Sequence, residues 1–368
     1  MTTIYLIRHA EAEGNLYRRI HGDYNSLVTE NGRVQIEALR RRFADVPVDA
    51  VWSSDRYRTM ATAQSVCAPK GLPLHTDPDL REIDMGTWED RPWGEKGYME
   101  HDELARFDAM EPDWHAPGGE SRVQVGARMM RAMRRIAQSC PDGTVAVFSH
   151  GTSIGHFVAD ARGLTPDQWK DKFVHADNTA VTCLAWDGTR FAVIYEGDNS
   201  HLGEDCSTLA KQNWWRAGNK VRDVNLWYRP LDWETEREIY FTAYEAAQLD
   251  SGRESAEESA LRLLAQSPWA IALAMDRGTP VGVVTMDAAL MDQGVGVIGL
   301  CCMLPEFCGR ELGIQMVGQA VSYFRPKGVD RLRIVTPRSD RVCAFFRRHG
   351  FLPVEGTGYM EKYIGYNG

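Results

Sequence analysis

The sequence predicts an α/β protein of two domains, a three-layer α/β/α sandwich around a mainly parallel sheet followed by an α+β domain. The length of 368 residues is typical of about two domains. Over the first 200 residues, short apolar runs alternate with helical patterns, as in parallel strands that are joined by helices. Beyond about residue 225 the order changes to one strand, two helices and three successive strands. We therefore predict domains at 1–203 and 225–368, with 204–224 as the connection.

The first domain is predicted to contain three strands with helices between them and two closing strands. The predicted strands are Thr3–Ile7, Ala50–Ser53, Thr144–Ser149, Ala180–Trp186 and Phe191–Tyr195. Helical spacing of apolar residues predicts one helix after Thr29 and another over Glu120–Ser139. Between them, Asp55 is predicted to cap a helix that continues to about Cys67 and that Pro69 ends.

The second domain is predicted to mix helices with a largely consecutive set of strands. The predicted strands are Leu226–Arg229, Ala270–Met275, Val281–Met286, Val295–Cys302, Leu332–Thr336 and one last strand near the chain end, and the predicted helices are Glu234–Leu249, Ala256–Gln266, Glu311–Phe324 and Asp340–His349.

Composition argues against nucleic-acid binding and a membrane span, and it indicates where in the cell the protein is expected. A formal net charge of −9 argues against a main role in binding nucleic acid. No stretch reaches the roughly 18 apolar residues of a membrane span, and Met1 leads into a strand and not into a signal peptide. The eight cysteines form no CxxC pair, so we expect reduced thiols, no metal site and a cytoplasmic protein.

The first domain carries the side chains that a phosphomonoester-cleaving site needs. Such a site requires cations around the phosphoryl oxygens, a nucleophile and an acid for the leaving alcohol. Arg8 and His9 end the first strand, and His150 ends a later strand where Gly151 opens a helix. Because the carboxyl ends of parallel strands meet in one crevice, these groups are expected to converge there. Arg58, just after another strand, and Glu82, before a glycine-containing turn, complete the set.

These residues lie in motifs that resemble those of the histidine phosphatase, or phosphoglycerate-mutase-like, superfamily. The motifs are IRHAEAEGN, SSDRYRTMATA, LREIDMGTWE, APGGES and SHGTSIG, in the order of that family. The resemblance covers about residues 1–203. It implies a nucleophilic His9 that becomes phosphohistidine, a phosphoryl group held by Arg8, Arg58 and His150, and Glu82 as proton donor. It also implies substrate contacts from four further residues, Asn15, His21, Gly22 and Gly151. Glu11 and Glu13 are weaker candidates that could simply flank the loop.

Two features favour a phosphatase over a mutase. Mutases of this family usually show Trp-Asn after the Arg-His-Gly start and a longer insertion before the second histidine. Here the chain reads Glu13-Gly14-Asn15, and the interval from Glu82 to His150 is short. We therefore expect hydrolysis of a small phosphorylated metabolite, with phosphoglycerate-mutase-type transfer as the alternative.

The segment 86–119 contains Trp88, Trp93, Tyr98, Trp114 and several acidic residues. One hypothesis is that this segment caps the pocket and selects the leaving group. The alternative is that the aromatic residues only anchor a surface excursion.

The second domain resembles the GNAT acyltransferase family over about residues 225–368. The resemblance rests on LWYRPLDWETE, on PEFCGRELG and on the later stretch SDRVCAFFRRHGFLPV. It implies acetyl-CoA as a possible cofactor, an amine as a possible acyl acceptor and a bifunctional enzyme. The residues that would contact acyl-CoA are Met303, Gly309, Arg310, Leu312, Gly313 and Ile314.

Four departures from the GNAT pattern put acyl transfer in doubt. Cys308 stands where the family often has Arg, and Glu311 stands at its middle glycine. Phe346 replaces a tyrosine that would protonate the leaving thiolate, and Ser339 replaces a frequent Asn. Water or Tyr323 could substitute as the proton source. The alternatives are therefore an active acetyltransferase and an inactive module that senses acyl-CoA or docks a partner.

Overall fold

The structure is a computed structural model that describes residues 1–212, 223–247 and 253–366. The chain folds as two compact units that do not follow a single cut in the sequence. The first unit is formed by Met1–Gly14, Ile20–Asp90 and His101–Asp223, and the second by Asn15–Arg19, Arg91–Glu100 and Val224–Gly368. Residues 213–222 of the connection predicted at 204–224 lie outside the described residues.

The first part of the chain alternates strands and helices as predicted. Its elements are β1 (Thr2–Arg8), α1 (Glu13–Tyr17), α2 (Glu30–Arg42), β2 (Ala50–Ser53), α3 (Tyr57–Lys70), β3 (Leu74–Thr76), α4 (Trp93–Met99), α5 (His101–Asp108), α6 (Arg122–Ser139), β4 (Thr144–Ser149), α7 (Gly151–Ala161), α8 (Pro166–Lys172), β5 (Val181–Trp186) and β6 (Phe191–Asp198). The six strands form one sheet in the order β3-β2-β4-β1-β5-β6. Strands β3, β2, β4 and β1 are mutually parallel, whereas β5 is antiparallel to β1, so the predicted mainly parallel sheet is confirmed.

The register of the central strands decides where the site forms. Arg8 pairs with Ser149 across the parallel β1 and β4. His9 and His150 therefore leave neighbouring strands at the same level. Apolar residues of β1, β2 and β4 are fully buried beneath this edge, among them Ile7, Val51 and Phe148. A solid core thus fixes the strand ends that carry the two histidines.

The prediction for the start and end of α3 is wrong in two details. The N-cap position is Arg56, with no side-chain cap, because the Asp55 carboxylate instead accepts hydrogen bonds from the Arg81 guanidinium, one of them at 2.6 Å from Nε. Pro69 lies inside the last turn, and α3 ends one residue later where Gly71 takes φ +64°. Glycine enters this left-handed conformation without a Cβ clash and so closes the helix.

The remaining elements form the α+β part of the second unit. They are β7 (Trp227–Pro230), α9 (Trp233–Ala246), α10 (Arg253–Gln266), β8 (Ile271–Asp276), β9 (Thr279–Thr285), β10 (Val295–Val297), β11 (Cys301–Met303), α11 (Gly313–Phe324), β12 (Arg331–Val335), α12 (Asp340–Arg348), β13 (Leu352–Val354) and β14 (Tyr359–Tyr363). Two four-stranded sheets result, in the orders β11-β9-β8-β7 and β10-β12-β14-β13.

The single strand predicted over Val295–Cys302 is wrong, because this stretch is divided between the two sheets. Strand β10 pairs in parallel with β12, whereas β11 pairs antiparallel with β9. Between them, Ile298 N–H donates to Arg333 O at 2.9 Å and Leu300 N–H donates to the Thr285 hydroxyl at 2.8 Å. The chain thus leaves the partner strand of one sheet and joins that of the other within three residues.

Within the part of the chain that the structure describes, no helix is both long and apolar enough to cross a membrane.

Candidate active site

The predicted nucleophile, His9, follows β1 and is buried, with 2% of its surface exposed. Its Nδ1 lies 2.7 Å from Ala10 O. A carbonyl oxygen only accepts, so Nδ1 carries the proton and Nε2 keeps its lone pair. Burial and the nearby Arg58 and Arg8 hold the pKa of His9 well below its usual value of 6.5. The ring is therefore neutral at physiological pH, as a nucleophile must be.

His150 lies beside His9, with ring centroids 5.2 Å apart. It is the N-cap residue of α7 and is fully buried. Its Nε2 is 2.9 Å from the Ser54 hydroxyl, and its Nδ1 has no partner among the described residues. Burial and the charge of Arg58 lower the pKa of His150 well below 6.5. A neutral ring that is fixed at Nε2 leaves Nδ1 to interact with a phosphoryl oxygen.

The two predicted arginines are in the same region and have fixed partners. Arg8 donates from Nη1 to Ala176 O at 2.6 Å, and its Nε, which is buried, has no partner among the described residues. Arg58 is fully buried and donates to Tyr24 O, His21 O and Gly22 O at 2.8–2.9 Å. Burial lowers the pKa of Arg58 to about 10, so the guanidinium stays charged at pH 7.

Glu82 is held at the beginning of α7. Its carboxylate accepts hydrogen bonds from Thr152 N–H at 3.0 Å and from Ser153 N–H at 2.9 Å. Free N–H groups and the helix dipole make such a position favourable for an anion. The charge of Glu82 opposes the effect of burial on the pKa of both Arg8 and Arg58.

The other predicted contact residues divide into two groups. His21 lies edge-on to His9 with ring centroids 5.7 Å apart, and Gly22 is in the turn that Arg58 binds. Gly151 is so close to Arg8 that a Cβ there would lie 3.2 Å from Nε. Asn15, by contrast, is in α1 within the segment Asn15–Arg19 of the second unit, and its role stays a prediction.

The carboxylates of Glu11 and Glu13 accept hydrogen bonds from residues of neighbouring loops. The buried Glu11 carboxylate accepts hydrogen bonds from the Thr29 hydroxyl, the Asn31 amide and the Thr208 hydroxyl at 2.7–3.1 Å. Glu13 accepts from Leu27 N–H at 3.1 Å. The interpretation that both flank the loop fits these contacts.

Sequence reasoning missed three residues that support the site. Ser54 binds His150, Asn178 donates from Nδ2 to His9 O at 2.9 Å, and Asp177 raises the pKa of Arg8 against the burial effect. Asp177 and Asn178 stand just before β5. Since β5 is antiparallel to β1, its beginning lies at the edge where β1 ends, and polar residues before this strand could have been recognised as candidates.

Three of the aromatic residues named in segment 86–119 pack against other aromatic rings. Trp88 and Trp114 are buried and lie 5.0 Å apart, and both pack on Phe107. Within the second unit, Tyr98 stacks on Trp227 at 5.0 Å. Whether the segment selects a leaving group stays a prediction.

The loop predicted to bind acyl-CoA precedes α11 in the second unit. Gly309 has φ +78° and Glu311 has φ +57°, so both take left-handed conformations. Met303, Leu312 and Ile314 are buried in the apolar core, which leaves their backbone groups as the possible contacts. Arg310 is exposed and lies over the Phe307 ring at 5.1 Å, and Gly313 is the first residue of α11.

A family model of the histidine phosphatase superfamily (branch 1) matches residues 4–199, more than half of the chain. The chain belongs to this superfamily. A second family model, that of the GNAT acetyltransferases, matches residues 228–351. The two predicted resemblances are thereby confirmed in one chain.

Curated relatives match the histidine phosphatase part almost over their whole length. The probable phosphoglycerate mutase GpmB of Serratia proteamaculans is 33% identical over 211 residues, which cover 55% of this chain and 95% of that protein. The protein of the same name from Cronobacter sakazakii is 30% identical over 207 residues, with the same coverage.

Among solved structures, Bacillus stearothermophilus YhfR is 32% identical, with a TM-score of 0.52 and coverage of 55% of this chain and 99% of that chain. A mycobacterial glucosyl-3-phosphoglycerate phosphatase, 24% identical with a TM-score of 0.50, covers 53% of this chain and 98% of its own, and shows the shared fold.

Among the described residues, no group of three or more His, Cys, Asp or Glu side chains could hold a metal ion.

Proposed function

We propose that the first unit is a metal-independent phosphomonoester hydrolase that works through a phosphohistidine on His9. The observation that carries the proposal is the state of His9: a neutral ring with Nδ1 on Ala10 O and Nε2 available, near the fully buried Arg58 and the half-buried Arg8. Catalysis of phosphoryl transfer depends mainly on positioning the nucleophile and on stabilising the negative charge of the phosphoryl oxygens with cations.

In the first step, His9 Nε2 forms a bond to phosphorus while the bond from phosphorus to the ester oxygen breaks. A proton from the Glu82 carboxyl group goes to the leaving alcohol. Arg8, Arg58 and His150 stabilise the phosphoryl oxygens. In the second step, water attacks phosphorus, Glu82 takes a proton from this water, and the bond between phosphorus and Nε2 breaks to release phosphate.

The experiment is a screen of small phosphomonoesters in the presence of EDTA, with wild type and His9→Ala. Phosphate release by wild type alone, together with an acid-labile phosphoenzyme after rapid quenching, is the expected result. Equal release by His9→Ala would contradict the nucleophile, and complete inhibition by EDTA would contradict metal independence.

Phosphoryl transfer within one molecule is the alternative, because the similar GpmB proteins are named probable phosphoglycerate mutases. Incubation with 3-phosphoglycerate separates the two reactions. A hydrolase releases inorganic phosphate, whereas a mutase produces an isomeric phosphoglycerate with little phosphate.

For the second unit we propose binding of an acyl-CoA at the 309–313 loop, with possible transfer of an acetyl group to an amine. The support is the loop conformation, in which Glu311 keeps the left-handed backbone that a glycine would take. Calorimetric titration with acetyl-CoA and an acyl-transfer assay with a panel of amines test the two parts separately. Binding without transfer would favour a sensor, and the absence of binding would favour partner docking.

A further inference from the structure

Glu89 is a carboxylate outside the catalytic set that holds two turns of the first unit together. Its Oε1 accepts hydrogen bonds from Asp23 N–H at 2.7 Å and from Met85 N–H at 2.9 Å, and its Oε2 accepts from Tyr24 N–H at 2.8 Å. One turn carries His21 and Gly22, and the other follows Glu82. Three backbone donors on one carboxylate make a precise attachment, since each bond has its own direction.

Arg58 binds the same turn from its carbonyl side. Its guanidinium donates to His21 O, Gly22 O and Tyr24 O, while Glu89 accepts from the N–H groups of the next residues. The backbone from His21 to Tyr24 is therefore held between the Arg58 guanidinium on its carbonyl side and the Glu89 carboxyl group on its N–H side. Loss of the hydrogen bonds from Asp23 N–H and Tyr24 N–H to Glu89 would let the turn move. The carbonyl groups that orient Arg58 would move with it.

Close packing makes the turn sensitive to small displacements. A Cβ at Gly22 would lie 1.9 Å from Ile83 O and 2.6 Å from Glu89 Oε1, so the turn lies directly against its neighbours. A Cβ at Gly14 would lie 2.2 Å from the His21 ring, which lies edge-on to His9. Movement of the turn therefore displaces His21 with respect to the nucleophile.

We propose that Glu89 is a positioning residue of the phosphate site, which fixes the His21–Tyr24 turn and thereby orients Arg58 and His21 toward the phosphoryl group. The proposal rests on the phosphatase function proposed above. It assigns no proton transfer to Glu89, whose oxygens are occupied by the three backbone donors.

Two variants test the proposal, with Glu37→Gln on the exposed surface of α2 as the matched control. Glu89→Gln replaces one accepting oxygen with an amide NH₂, which cannot accept a hydrogen bond from a backbone N–H. Glu89→Asp keeps the carboxyl group but shortens the side chain, so that it no longer reaches both turns. A misplacement of about 1 Å costs roughly 100-fold in rate. We expect a loss of kcat/KM of roughly 10- to 100-fold in both Glu89 variants, together with weaker orthovanadate binding by calorimetry and a changed His21 ring signal in ¹⁵N NMR. The control should stay within about twofold of wild type.

The outcomes are distinct. Folded Glu89 variants with wild-type kcat/KM, orthovanadate affinity and His21 signal would overturn the proposal. So would failure of both variants to fold, judged by circular dichroism, because the role would then be purely structural. If wild type hydrolyses no ester, the proposed function fails, and orthovanadate binding with the His21 signal still decides whether Glu89 positions the site.

Discussion

The rings of His9 and His150 lie 5.2 Å apart at an interplanar angle of 60°, and each has one nitrogen fixed by a different partner. Nδ1 of His9 is held by Ala10 O and Nε2 of His150 by the Ser54 hydroxyl. The two rings therefore leave different nitrogens available, Nε2 of His9 and Nδ1 of His150. The Ala10 carbonyl oxygen selects the tautomer of His9 because it only accepts, whereas the Ser54 hydroxyl can donate or accept and fixes only which nitrogen of His150 is occupied.

Ser54→Ala should reduce catalysis although Ser54 is outside the predicted catalytic set. The change leaves His150 Nε2 buried without a partner, and such a loss costs about 1–3 kcal/mol. We expect kcat/KM to fall by roughly 10- to 100-fold in steady-state assays. Ser53→Ala is the control, because the Ser53 hydroxyl donates to a backbone carbonyl at 2.7 Å and not to a ring. Equal effects of the two changes would contradict a specific role for Ser54.

The buried histidines should make the protein less stable in mild acid. Burial lowers the pKa of His9, His21 and His150 well below 6.5, so the unfolded chain binds more protons than the folded chain as the pH falls below 6.5. The free energy of unfolding should therefore decrease with falling pH, by about 1.4 kcal/mol per pH unit for each such histidine. Urea unfolding at pH 7, 6 and 5.5 measures this slope. A His21→Gln variant should show a shallower slope than wild type, and identical slopes would contradict the assignment.

Glu89 should make the free energy of unfolding depend on pH in the opposite direction to the buried histidines. Burial raises the pKa of Glu89 to about 7 from 4.5, so the folded state binds the extra proton between these values. The free energy of unfolding of wild type minus that of Glu89→Gln should therefore decrease as the pH rises from 4.5 to 7, by up to about 3 kcal/mol. Parallel urea titrations of the two proteins give this difference. A difference that is constant with pH would show that the pKa of Glu89 is not raised.

Glu311→Gly should strengthen the binding of acetyl-CoA to the second unit. The left-handed conformation of Glu311 costs a side-chain-bearing residue about 1–2 kcal/mol, and its negative charge opposes a pyrophosphate at the same loop. We expect the Kd for acetyl-CoA to fall by about tenfold, with a small gain in Tm. Glu306→Gln, on the same exposed loop, is the control for a general charge effect. No change in Kd on Glu311→Gly would argue against pyrophosphate binding there.

Local sequence signals were enough for most strands and for grouping the candidate residues of the site. The run from Thr3 to Ile7 and the run from Thr144 to Ser149 are apolar and short, and the structure has strands at both. Because parallel strands deliver their carboxyl ends to one edge, Arg8, His9 and His150 could be grouped before any contact was known. Helix ends were less accurate, since the Asp55 side chain has a competing partner in Arg81 that is distant in sequence.

The sequence by itself determined the order of the elements, the two family resemblances and the candidate charged and nucleophilic groups, because these depend on residue type and local periodicity. Only the tertiary structure decided which nitrogen of each histidine is available, that Ser54 binds His150, and that Glu89 joins the two turns of the site. It also decided that Val295–Cys302 divides between two sheets. The physical reason is the same in each case: these outcomes depend on directional hydrogen bonds between distant residues, such as Ser54 and His150, which are 96 positions apart. Such bonds form only after the packed core has brought their donors and acceptors together.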